Sequence, residues 1–211
     1  MRFVTTALSP ARGLFDEGAI LVNRDGIRFT DERDRPMNDV PRQPGKAAHI
    51  VLDATLAAKF SAWPHYVSTA PGVAYAYLPD YRRTRPDVYR EAPTIAALAT
   101  GIGVPPAALE ATIASHNAGA PADKRIERPP FVALGPVRGV FVHHEGGLAV
   151  DLEHRVLGAD GAPIPGLYAA GSTGQGGLLL QGHGHHLAWA FASGRRAGRF
   201  AARDVGCDIT K

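Results

Sequence analysis

Residues 166–203 constrain the fold of this chain more than any other stretch. GLYAAG reads as an apolar strand, and the residues after it include Gly171, Gly174, Gly176, Gly177, Gly182 and Gly184. HHLAWAFASGRRAGRFAARD then carries a long, Ala-rich helical pattern. A turn built on glycine lets backbone approach a neighbour with no Cβ in the way. The helix behind it presents free N–H groups and the positive end of its dipole to that turn. Such a turn suits a phosphate, a carboxylate or the electron-rich edge of a reduced flavin. It suits equally a strand-to-helix connection that only packs tightly, and the residues alone leave both open.

The rest of the chain reads as short elements. GAILVNRDGIRFT predicts two strands around the turn Arg24-Asp25-Gly26, because Asp-Gly between apolar runs is a hairpin signal. AAHIVLD (47–53) predicts a buried strand, and ATLAAKFSAW a short helix after it. Residues 64–93, rich in Pro and Tyr, show no period and are expected to be irregular. Thr94 caps a helix stopped by Gly101 or Gly103, and Pro105-Pro106 opens another with Leu109 and Ile113 on one face. From 137, VRGVFVHH, LAVDL and RVLGA read as short β runs ahead of the turn Ala159-Asp160-Gly161. There is no internal repeat, and the composition shifts near 135. The fold class expected is α+β.

Composition excludes several functions. With 24 glycines and 17 prolines among 211 residues, the chain is turn-rich, yet 45% hydrophobic content is too high for disorder. The net charge is +3 and the pI about 9.2, but no block of basic residues exists, so nucleic acid is not expected as a partner. Arg82, Arg83, Arg85 and Arg90 are interleaved with Asp80, Asp87 and Glu91, which favours a solvated face. The single cysteine, Cys207, forbids an internal disulfide or a cysteine zinc cluster. No apolar run is long enough to span a membrane, and the first residues lack a signal-peptide core; a cytoplasmic protein is expected.

Four motifs, taken together and in order, carry a resemblance. GAILVNRDGIRFTDE, HHEGGLAVD with RVLGADGAPIPGLYAAG, GLYAAGSTGQGG, and GHGHHLAWAFASGRRAG resemble the fumarate reductase/succinate dehydrogenase flavoprotein family, which also holds 3-ketosteroid and tricarballylate-type dehydrogenases. The resemblance covers nearly the whole chain and is weakest between 60 and 92. It implies only the C-terminal part of that architecture: a residual FAD-domain segment (1–23), a capping domain (24–135), and the C-terminal segment of the FAD domain (136–211). Family members begin with a βαβ unit whose GxGxxG cradles the FAD pyrophosphate, and no such unit is found near the start of this sequence.

The resemblance also implies roles. FAD is the cofactor, with Gly171, Ser172, Gly184 and the backbone of His185, His186 and Leu187 on its flavin side. Ser172 replaces the family's glutamate, losing the carboxylate's strength as an acceptor. His144, from the family's HHTMGG motif, is the catalytic candidate that touches a substrate carbonyl or carboxylate. His143, Gln181 and His183 are the substrate-binding candidates, although strand alternation alone would bury one of the two adjacent histidines and expose the other. The departures argue against fumarate reduction. The clamping arginine falls on Gln181 and the proton-donating arginine on Ala57, with Lys59 the nearest base, and neither Gln nor Lys supplies Arg's planar fork. Glu145 has no counterpart and would repel a dicarboxylate. His183, His185 and His186 resemble a metal motif, but side chains so spaced at a helix start diverge, and no native metal is expected.

The expected function is therefore the C-terminal portion of an FAD-dependent oxidoreductase passing hydride to or from a small organic or steroid-like substrate, without turnover alone. Its expected partners are a separate nucleotide-binding chain or a second copy. The competing reading is a non-catalytic binding or oligomerisation module derived from such a flavoprotein.

Overall fold

One long strand organises the larger part of the molecule. In the computed structural model, which describes residues 2–3, 9–68, 77–140, 146–177 and 183–206, the strand at Phe131–Arg138 is paired along both edges. The strands are β1 (Arg2–Phe3), β2 (Ile20–Val22), β3 (Ala48–Leu52), β4 (Tyr89–Ala92), β5 (Phe131–Arg138), β6 (Arg155–Leu157) and β7 (Pro163–Tyr168). The helices are α1 (Arg12–Asp16), α2 (Ala54–Lys59), α3 (Leu78–Thr84), α4 (Ile95–Ile102), α5 (Pro106–Gly119) and α6 (His183–Asp204). The chain is α+β and divides into two compact units, Met1–Val140 and Phe141–Lys211.

In the first unit β2 pairs with β3, and β3 with β5, all antiparallel. Along the far edge of β5, β4 pairs with Phe131–Leu134 and β1 with Val137–Arg138. Alternation sends successive residues to opposite faces. Leu21, Ile50, Leu52, Val132 and Leu134 meet α1, α2 and α3 through Leu14, Leu56, Phe60 and Tyr81. Ile20, Val22, Val51 and Ala133 meet α4 and α5 through Leu98, Leu109 and Ile113. Both faces are covered, which is why β3 and β5 read as nearly unbroken apolar runs.

Caps set the helix ends. The Thr94 hydroxyl accepts from Ala97 N at 3.1 Å, and Gly103 closes α4 in the left-handed region at φ 71°. Asp53 has a larger role: Oδ1 accepts from Leu56 N at 3.0 Å to cap α2, while Oδ2 accepts from Glu127 N and Arg128 N at 3.2 and 3.1 Å. One buried carboxylate thus ties α2 to the approach to β5. On the free edge of β2, Leu21 N donates to Glu32 Oε1 at 2.8 Å, and Arg28 grips the same carboxylate with two bonds. The edge is blocked against further strand pairing.

Three expectations need correction. The second strand of the 18–30 hairpin reduces to a single bridge, Val22 to Arg28, because Arg28 turns away to hold Glu32. Within 64–93 the chain forms α3 and β4. The strand expected from 137 begins at Phe131 and belongs to the first unit.

In the second unit, β6 and β7 form a two-stranded sheet around Asp160-Gly161. Beyond β7, the turn Gly171–Gly174 leads toward the 22-residue α6.

Candidate functional site

The glycine turn is fastened to α6 by two side chains one helical turn apart. Gly171 N donates to Ser193 Oγ at 2.8 Å, and Trp189 Nε1 donates to Gly171 O at 3.0 Å. Ser193 is fully buried, and its hydroxyl donates in turn to Trp189 O. Residues four apart share a helix face, so this pair holds the turn at both its N–H and its C=O.

A second segment seats on the turn. Leu148 N donates to Thr173 O at 2.7 Å. Gly147, at φ 124°, lies so close that a Cβ there would stand 2.6 Å from Ser172 O and 2.7 Å from Thr173 O. A Cβ on Gly174 would stand 2.5 Å from Ala169 O. Gly147 and the turn of AAGSTG, which the sequence singled out separately, are therefore in contact. Gly171, Gly176 and Gly177 all take positive φ, and around Gly177 and Gly184 there is open space.

Of the expected cofactor-side residues, Gly171 and Ser172 lie in the pinned turn, with Ser172 exposed. Gly184, His185, His186 and Leu187 lie at the start of α6. His183 begins that helix. His143, His144, Glu145 and Gln181 lie outside the described residues. Among the described residues no group of three or more His, Cys, Asp or Glu could hold a metal ion.

Sequence reasoning missed His154. It is buried, sits at φ 65°, and packs against Trp189 with ring centroids 5.7 Å apart. Burial, with Arg196 nearby, lowers its pKa. His154, Trp189, Asp151, Arg196 and Gly176 border a hollow of about 710 Å³ in this unit. The readable signal is an i,i+4 Trp–Ser pair on the helix, which marks the face that meets the turn.

In the first unit, Ala57 packs against the core, and Lys59 is paired with Glu17. A separate groove of about 700 Å³ follows the blocked edge of β2 against α5, with Ile20, Ile27, Ala108 and Thr112 on its walls. The cations on its rim are engaged: Arg28 with Glu32, Arg33 with Asp31, and Lys124 with Asp16 O.

The residues present suit one half of FAD. A glycine turn with open space and a long helix starting beside it offers backbone donors to a flavin, whereas no described strand–GxGxxG–helix unit offers a cradle to the pyrophosphate. Among the described residues no helix is long and apolar enough to cross a membrane.

Comparison with known proteins agrees. The model of the FAD binding domain family matches residues 6–181. A 4-oxocyclohexanecarboxylate 2-dehydrogenase of Sinomonas cyclohexanicum is 29% identical over 90% of this chain and 38% of its own length. A KsdD-like steroid dehydrogenase of Mycobacterium tuberculosis is 49% identical over 34% of this chain and 14% of its own. The open conformation of a flavocytochrome c3 fumarate reductase superposes with a TM-score of 0.61 at 26% identity, covering 96% of this chain and 36% of that one. The chain thus spans well under half the length of these relatives.

Proposed function

The chain belongs to the FAD binding domain family, and from that premise we propose that it is the flavin-side and substrate-side portion of an FAD-dependent oxidoreductase that acts on a small organic or steroid-like molecule. The observation that carries the reading is the glycine turn at 171–174, pinned by Trp189 and Ser193, covered by Gly147 and running toward α6. A bound flavin supplies a hydride donor or acceptor at its ring. Gly171 and Ser172 hold the flavin side through the turn, and the N–H groups of Gly184, His185, His186 and Leu187 favour negative charge on it. His144 orients the substrate carbonyl or carboxylate, with His143, Gln181 and His183 beside it. Residues 24–135 cap the substrate, residues 136–211 carry the flavin-side turn, and residues 1–23 lead in from the FAD domain.

Turnover requires in addition a cradle for the FAD pyrophosphate, which the described residues do not supply. A second reading, an interaction module without catalysis, draws on the exposed Leu187 and Phe191. Adding excess FAD, desalting, and recording the visible flavin absorbance together with a thermal melt separates the two. Retained flavin and a raised melting temperature, both weakened by Ser193→Val, support the flavin site. A colourless chain with an unchanged melt, alone and beside a nucleotide-binding domain, refutes it.

A further inference from the structure

The hollow in the second unit carries side chains that the flavin and substrate roles leave unused. Trp189, Ala192, Ser193 and Arg196 border it from one face of α6, as spacings of three, four and seven along a helix require. Its volume of about 710 Å³ falls within the range of small-molecule sites, about 300–1,000 Å³. Trp189 and His154 supply aromatic walls. Arg196 stands two helical turns beyond the indole, about 10 Å along the axis.

Two groups at the hollow are built as if for a ligand. His154 is only 4% exposed, yet its Nδ1 has no hydrogen-bond partner among the described residues. Buried polar atoms are ordinarily paired, so an orphaned one asks for an occupant. Burial and the nearby Arg196 lower the pKa of this imidazole, so at neutral pH it offers a hydrogen bond and no charge. The second group is Arg196. Its Nη2 donates to Leu152 O at 2.7 Å, and its guanidinium carbon lies 5.8 Å from the centre of the Phe200 ring. Those contacts orient the guanidinium, which makes no ion pair among the described residues. Asp151, which also borders the hollow, is already held by Arg155 at 2.7 Å. The charge left to a ligand is therefore positive.

These groups define the ligand's chemistry. A carboxylate suits Arg196, because the planar guanidinium presents paired N–H groups to it. A flat ring suits the wall of Trp189. A hydroxyl suits His154 Nδ1, because it gives or takes a hydrogen bond whichever tautomer the imidazole holds. We infer that the hollow between α6 and residues 149–154 is a binding site for a small hydroxylated aromatic carboxylate, held by Arg196, Trp189 and His154. The inference goes beyond the flavoprotein reading: none of these three side chains is assigned to flavin or substrate, and the site needs no FAD.

The test is calorimetric titration of the full chain with three probes: para-hydroxyphenylacetate, phenylacetate, which lacks the hydroxyl, and para-cresol, which lacks the carboxylate. The expected result is saturable binding of para-hydroxyphenylacetate. Phenylacetate should bind about two- to tenfold more weakly, and para-cresol about tenfold or more. Arg196→Met, at an exposed helix position, should weaken para-hydroxyphenylacetate by about tenfold and leave para-cresol unchanged. His154→Phe should erase the preference between the two acids, and comparing those acids on the unaltered chain tests the same contact without a mutation. Failure of para-hydroxyphenylacetate to saturate at millimolar concentration overturns the inference. So do equal affinities for the two acids, or an affinity that Arg196→Met leaves unchanged. Displacement by excess FAD would place the acid at the glycine turn and overturn the separate site. A chain that binds the acid and retains no flavin keeps this site and loses the flavoprotein reading alone.

Discussion

Gly147→Ala tests the candidate site where its geometry is tightest. The new methyl carbon would stand 2.6 Å from Ser172 O and 2.7 Å from Thr173 O, both backbone atoms that cannot rotate away, at a φ of 124°. A non-glycine residue held in such a conformation costs about 1–3 kcal/mol, and forcing a methyl into a filled space costs about 1–3 kcal/mol more. The sum, about 2–6 kcal/mol, falls on the second unit. For a unit of this size each kcal/mol moves the midpoint by about 4–8 °C, so a drop of about 10 °C or more is expected in its thermal transition, followed by Trp189 fluorescence in a Trp63→Phe background. Gly184→Ala is the counterpart: nothing lies within 4 Å of that position, which is helical. The same methyl there should be neutral or stabilising by up to about 1 kcal/mol, yet it should weaken flavin retention, because the open space at the helix start is where the ligand is assigned. Equal melting of the two variants would refute the contact between Gly147 and the glycine turn.

Two further outcomes follow from the first unit. Asp53→Ala removes a helix cap worth about 1 kcal/mol and strands Glu127 N and Arg128 N at about 1–3 kcal/mol each; a loss of roughly 3–7 kcal/mol should appear in urea unfolding, with Asp53→Asn intermediate. His49, half-buried near Arg24 and Arg90, has its pKa pushed down from 6.5 to about 4 by desolvation and the two cations. Between those values the unfolded chain binds a proton that the folded chain refuses, so stability should fall as pH drops through that window, by up to about 3 kcal/mol. His49→Gln should flatten that dependence, and an unchanged pH profile would refute it.

What the sequence made legible is what local chemistry decides. Thr94, Gly103 and Pro106 mark α4 and α5 because caps and breakers act within a few residues. β3 shows as an apolar run because both its faces are covered. β5 was hidden by Pro136, which reads as a strand breaker; the ladder tolerates it because the register with β3 shifts between Ala48 and Ile50, opposite that point. β4 was hidden because YREA is half exposed and shows no apolar alternation. At the site, the glycines signalled close approach without saying to what. The contact of Gly147 with Ser172 O and Thr173 O crosses a hairpin, and no local pattern encodes it.

The two units differ in how much they bury, and that difference bears on function. The first covers its sheet on both faces with two apolar clusters. In the second, the buried apolar side chains among the described residues are Val156, Ala169 and Ala197, while Leu152, Ile164, Leu167, Leu187 and Phe191 remain exposed on a two-stranded sheet and one helix. Burial of apolar surface is the main favourable term in folding, and a lone two-stranded sheet is marginal in water. Amide hydrogen exchange should therefore show β3 and β5 protected up to global unfolding and β6, β7 and α6 opening well below it. Uniform protection across both units would refute the argument. Because the second unit carries the glycine turn, whatever covers α6 also sets how much of the time that turn stands assembled. Assembly of the turn and protection of β7 and α6 are then one equilibrium: excess FAD should slow exchange in β7 and α6 and leave β3 and β5 unchanged.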